Sequence, residues 1–95
     1  IHVEDLAEAH ILAGDQSIPC GIYNLGTSSG TSNLEILAAT SQSLQVDIPY
    51  DFGPMRPGDP VQLTADSSKF MSVSKWKPQY SLSDMISHAW KWYSK

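Results

Sequence analysis

Apolar residues along this chain alternate between short β-branched or aromatic runs and longer stretches with helical spacing, and that alternation narrows the fold more than any residue count does. Ile1–Val3 reads as the end of a strand. Ile22-Tyr23-Asn24-Leu25 reads as a short strand. Val46–Phe52 reads as an edge or irregular strand because of Pro49, and Val61–Ala65 as extended. Between them lie helical segments. The first runs from about Leu6 to Ala13, with Asp5 as N-cap, Glu8 at capping-box spacing, and Leu6, Ala9 and Ala13 on one face before Gly14. The second, Asn33–Leu44, follows a Ser32/Glu35 box. A short helix over Ser67–Val73 has Asp66 as its cap. The last follows Ser81 and Asp84, with Met85, Ile86, Ala89, Trp90 and Tyr93 on one apolar face and Lys91 and Lys95 near its C-terminus. The expected fold class is α/β and partial: a few short strands with four helices, too few strands for a complete doubly wound sheet.

At 95 residues the chain is one domain at most, and 1–95 is read as a single unit. With 41% apolar and 17% charged residues it is a globular sequence rather than a disordered one. The net charge is −4, and all six basic residues lie from Arg56 onward. An acidic chain opposes phosphate-backbone binding, so nucleic acid is excluded as a partner. Cys20 is the only cysteine, which leaves no internal disulfide and fits a reducing, cytoplasmic setting. No apolar run has the length of a membrane span, and no signal peptide is visible. The chain opens on Ile1 as if a strand were already under way, which suggests the interior of a longer protein.

Catalytic signals do not emerge from the residues. Leu25-Gly26-Thr27-Ser28-Ser29-Gly30 joins a strand to a helix, but its glycines have the wrong spacing for a dinucleotide cradle. None of Tyr23, Tyr50, Tyr80 and Tyr93 has a lysine four residues on. His2, His10 and His88 lack metal-ligand spacing and read as structural. No catalytic, cofactor-binding or metal residue is assigned. One loop looks suited to a ligand, Gly53–Pro60, with its three prolines and two glycines. It carries Arg56, the only arginine, whose planar fork of donors matches a phosphate edge. Asp59 can accept from sugar hydroxyls. Residue chemistry by itself favours a plainer alternative, an exposed turn with a local Arg56–Asp59 pair.

Several segments resemble the UDP-glucose 4-epimerases, within the extended short-chain dehydrogenase/reductases. They are Ile1-His2-Val3-Glu4-Asp5-Leu6-Ala7-Glu8-Ala9-His10, Ile22–Thr27 with Gly30 and Asn33-Leu34-Glu35, Arg56-Pro57-Gly58-Asp59-Pro60, Ala65–Lys69, Trp76-Lys77-Pro78, and Ala89–Trp92. The resemblance covers essentially the whole chain. It implies the C-terminal, UDP-sugar-binding part of an NAD-dependent isomerase of galactose metabolism, without its Rossmann half. On that resemblance Arg56 binds the UDP diphosphate, Asp59 contacts the ribose, and Leu63 lines the sugar pocket. The family moves a hydride from sugar C4 to NAD and returns it to the other face. NAD and the catalytic tyrosine and lysine belong to the N-terminal part, so these residues should not catalyse the reaction unaided. Ser74 and Lys75 depart from the family pattern of an apolar residue and a glycine, which puts the packing of the short helix in question.

The partners implied are a UDP-sugar and the N-terminal Rossmann domain, with self-association through apolar surface left uncovered. Two alternatives stand beside this reading: a stand-alone UDP-binding module, and part of a related nucleotide-sugar dehydratase or decarboxylase.

Overall fold

The computed structural model describes residues 1–95 and contains four helices: α1 (Val3–Ala13), α2 (Asn33–Leu44), α3 (Ser68–Val73) and α4 (Leu82–Tyr93). It contains no strand, so the expected short strands at Ile1–Val3, Ile22–Leu25, Val46–Phe52 and Val61–Ala65 are not formed. A strand is a property of a pair, since its backbone groups must meet a neighbour about 4.8 Å away. β-Branched and aromatic side chains encode only the tendency. Outside the helices, Ser28 N–H to Ala65 O at 3.1 Å is the single backbone hydrogen bond between segments distant in sequence. One bond is a contact, not a ladder.

Residue 2, expected in a strand, instead caps α1. The His2 ring Nδ1 accepts from Glu4 N–H at 3.0 Å, and His2 O accepts from Leu6 N–H. An unprotonated imidazole nitrogen serves here in place of the usual hydroxyl or carboxylate. Asp5, expected as the cap, lies inside the helix and points inward with Ala9 one turn on. The second cap is half of the expected box: Ser32 Oγ accepts from Glu35 N–H, while the Glu35 side chain makes no return bond to Ser32 N–H. α2 ends on Gln45 in the left-handed region, φ 54°. At α4 the capping box is complete, with Ser81 Oγ taking Asp84 N–H and Asp84 Oδ2 taking Ser81 N–H at 2.8 Å. The N-cap of α3 is Ser67, which makes no side-chain cap bond, rather than Asp66 as expected; Asp66, one residue earlier, accepts Ser68 N–H at Oδ1 at 2.9 Å in a local turn.

The apolar core is small. Ala9, Phe70 and Trp76 are buried, with Leu12, Ile18, Tyr23, Leu25, Met71 and Val73 packed around them. The Phe70 ring meets Tyr23 and Trp76 edge to face, at centroid distances of 5.4 and 5.7 Å. Burying a Phe of this kind contributes about 1.5–3 kcal/mol. The departures at Ser74 and Lys75 do not disrupt α3. Ser74 Oγ donates to Phe70 O at 2.7 Å and accepts from Trp76 N–H at 3.2 Å, so it closes the helix and directs Trp76 inward. Trp76 Nε1–H then donates to Asp5 O at 2.8 Å, which ties α1 to the segment after α3.

α2 packs against α4, and half-buried Met85 and Ile86 lie on α4 while Trp90 and Tyr93 stay exposed. The expected apolar face of α4 is therefore only partly covered. The molecule is flat, 49 × 36 × 18 Å, with a radius of gyration of 16.3 Å. A compact domain of 100 residues has a radius of about 13 Å. The excess agrees with a surface on which Ile22, Phe52, Met55, Val61 and Leu63 are all exposed.

Candidate functional site

The Arg56–Pro60 loop is built by its own sequence. Asp59 N–H donates to Arg56 O at 3.3 Å across Pro57-Gly58. Gly58 has φ 86°, the conformation a type II turn requires at its third residue, with proline favoured just before it. An added Cβ at Gly58 would meet nothing within 4 Å, so the glycine answers a backbone demand rather than a crowding one. Arg56 Nε donates to Asp59 Oδ2 at 2.8 Å. The arginine side chain is 85% exposed, so this pair adds little stability. What it does is orient. The guanidinium is held at Nε, and its two terminal nitrogens have no protein hydrogen bond.

Leu63 lies elsewhere. It forms part of an open groove of about 710 Å³, with Thr27, Gly30, Ile36, Tyr80 and Met85 also in the wall. A second groove of about 520 Å³ shares Gly30, Thr31, Leu63 and Thr64 with the first and extends to Pro60. The structure therefore joins Arg56 to Asp59 and puts Leu63 at the boundary of two grooves, but Arg56 and Asp59 line neither.

The wall containing Leu63 is fastened by a polar node. Ser67 is fully buried, and its Oγ accepts from Gly26 N–H and donates to Gly26 O, both at 2.7 Å. Ser67 N–H donates to Ser28 Oγ at 3.0 Å. Asp66 Oδ1 receives Ser68 N–H and, more distantly, Ser28 Oγ–H. The Ser68 backbone and side-chain bonds pull the Asp66 pKa below its usual value, against a smaller opposing effect of desolvation, and the Ser28 bond adds least. Gly26 and Gly30 permit the close approach. A Cβ at Gly26 would lie 2.7 Å from Ala65 Cβ, and one at Gly30 2.8 Å from Thr64 Oγ1. These glycines face protein, and Ser32 Oγ occupies the N-terminus of α2. The loop does not fit a dinucleotide pyrophosphate.

The histidines have structural partners. His2 Nε2 and His88 Nδ1 are hydrogen-bonded at 2.8 Å, and the Tyr80 ring stacks on His2 at 4.2 Å. His10 Nδ1–H donates to Leu6 O at 2.8 Å. Tyr80 Oη–H donates to the Glu4 carboxylate, which holds the phenol above its usual pKa, with the Glu4 charge adding to the effect. Asp5, missed as a buried anchor, accepts Gln79 N–H at Oδ1 (3.0 Å) and Tyr80 N–H at Oδ2 (3.1 Å). No local pattern signals that role, because the partners lie more than seventy residues away. Ser67 and Gly26 were missed for the same reason.

No family model matches the chain. It is 46% identical over 97 residues to a UDP-glucose 4-epimerase of Lactobacillus helveticus, covering 98% of this chain and 29% of the relative. It is 44% identical over 99 residues to UDP-glucose 4-epimerase 4 of Oryza sativa subsp. japonica, covering all of this chain and 27% of the relative. The crystal structure of the Bifidobacterium longum UDP-glucose 4-epimerase, in complex with NAD+ and UDP, superposes with a TM-score of 0.89 at 38% identity, over 99% of this chain and 29% of that one. Matching sequence and matching tertiary structure along the whole length make the chain one region of a larger protein family. That family is the UDP-glucose 4-epimerases; the chain aligns with their C-terminal part and spans less than a third of the relatives it matches.

Proposed function

We propose that residues 1–95 form the UDP-sugar-holding part of an NAD-dependent UDP-glucose 4-epimerase of galactose metabolism, with the catalytic groups on other polypeptide. In this reading Arg56 binds the diphosphate, Asp59 contacts the ribose, and Leu63 borders the sugar. The observation that carries it is the Arg56 guanidinium, held at Nε by Asp59 with its terminal nitrogens unengaged. A planar cation so oriented is prepared for a bidentate anion without first ordering itself. NAD, whose chemistry is to accept and return a hydride, is held outside these residues, because the Gly26–Gly30 loop does not fit it. A reducing cytoplasmic setting, with the exposed Cys20 kept as a thiol, belongs to the same reading. No helix is long and apolar enough to cross a membrane.

Calorimetric titration of the full-length protein carrying this segment tests the assignment. A charge-assisted bond of about 1.5–3 kcal/mol corresponds to roughly a 10- to 150-fold loss of UDP affinity in Arg56→Ala. Arg56→Lys, which keeps the charge but not the fork, should fall between. Wild-type affinity in Arg56→Ala would remove Arg56 from the site. Turnover of dTDP-glucose in place of UDP-galactose would point to a different nucleotide-sugar enzyme.

A further inference from the structure

The groove wall containing Leu63 has no regular secondary structure to hold it, since residues 61–65 form no strand. Exposed irregular segments of this kind sample many arrangements unless something fastens them. The fastening here is concentrated at one buried side chain. Ser67 Oγ engages both backbone groups of Gly26 at 2.7 Å, and Ser67 N–H engages Ser28 Oγ. Ser28 N–H then reaches Ala65 O at 3.1 Å, with Ser28 itself in the left-handed region at φ 61°. Such a backbone conformation is disfavoured for serine and persists when its surroundings require it. Thr64 and Leu63 follow directly from Ala65 toward the grooves and the Arg56–Pro60 loop.

We infer that Ser67 is a positioning residue for the UDP-sugar site: by clamping Gly26 it sets the spacing between the Gly26–Gly30 loop and the 61–65 segment, and so holds Leu63 and Thr64 in place as the groove wall. The inference rests on the proposed function for its ligand, but not for its geometry. Ser67 itself touches no ligand position, being fully buried.

The test uses the full-length protein carrying this segment, with two variants that act by different routes. Ser67→Ala removes the clamp. Gly30→Ala leaves the clamp intact and drives a wedge toward Thr64, since its Cβ would lie 2.8 Å from Thr64 Oγ1. Both should raise KM for the UDP-sugar by about 10-fold with kcat changed less than about 2-fold, the pattern of lost uniform binding. In Ser67→Ala the Ser28 amide should also exchange its hydrogen at least ~10-fold faster, as its bond to Ala65 O loosens. A serine with a merely structural role would lower the amount of folded protein and leave the KM of what remains unaltered. Unchanged KM in folded Ser67→Ala overturns the inference. If that variant does not fold, Ser28→Ala, which takes away the acceptor of Ser67 N–H, replaces it, and an unchanged KM there overturns the inference. Should the wild type bind no UDP, the functional reading fails, and the Ser28 exchange rate still decides the clamp: an unchanged rate overturns it.

Discussion

Removing the Asp5 carboxylate should destabilise the chain far more than its acidic neighbour does. Asp5 is 1% exposed, and each carboxylate oxygen takes one backbone N–H, from Gln79 at 3.0 Å and Tyr80 at 3.1 Å. Hydrogen bonds to a charged group contribute about 1.5–3 kcal/mol each. Asp5→Ala therefore removes about 3–6 kcal/mol, a large share of the ~5–15 kcal/mol that holds a typical domain folded. Asp5→Asn keeps one acceptor and sets an amide N–H2 against the other donor, so it should lose roughly half as much, about 2–3 kcal/mol. Glu4→Ala is the control. That side chain is exposed and bonds Tyr80 Oη, so its removal should cost no more than about 1 kcal/mol. Equilibrium urea unfolding, followed by helical circular dichroism, gives the three values. Hydrogen exchange at the Gln79 and Tyr80 amides localises the loss. If Asp5→Ala costs under ~1 kcal/mol, or if those two amides keep their protection, Asp5 is not the anchor between α1 and the segment leading into α4.

At α4, hydrogen bonds from Ser81 N–H and Oγ–H hold the Asp84 pKa below its usual value, against a smaller opposing effect of desolvation. The folded helix end thus binds a proton less readily than the unfolded chain. Its contribution is complete above the unfolded value and is lost as pH falls through the lower folded one. The protection of the Ser81 amide, its exchange rate taken relative to the intrinsic rate at each pH, should fall as the Asp84 carboxylate is protonated on acidification, and Asp84→Asn should abolish that pH dependence; a pH-independent protection would disprove the capping role. Ile22, Phe52, Met55, Val61 and Leu63 leave apolar surface uncovered, so residues 1–95 isolated from other polypeptide should self-associate. Light scattering that reports a monomer at high micromolar concentration would contradict this.

Helix existence was legible because capping is local. Ser32 and Ser81 each sit within three residues of the N–H they accept. The turn at Pro57-Gly58 and the Arg56–Asp59 pair were legible for the same reason, since three positions separate the partners. Strands were misjudged because side-chain preference says nothing about whether a neighbour is present to complete the ladder. Asp5 as an anchor and Ser67 as a clamp were decided only in three dimensions. Each depends on groups brought together from 39 or more positions apart, in an interior that makes an unpaired donor intolerable. Local hydrogen bonds are determined by sequence alone; distant ones exist only once folding has chosen which backbone groups lose their water.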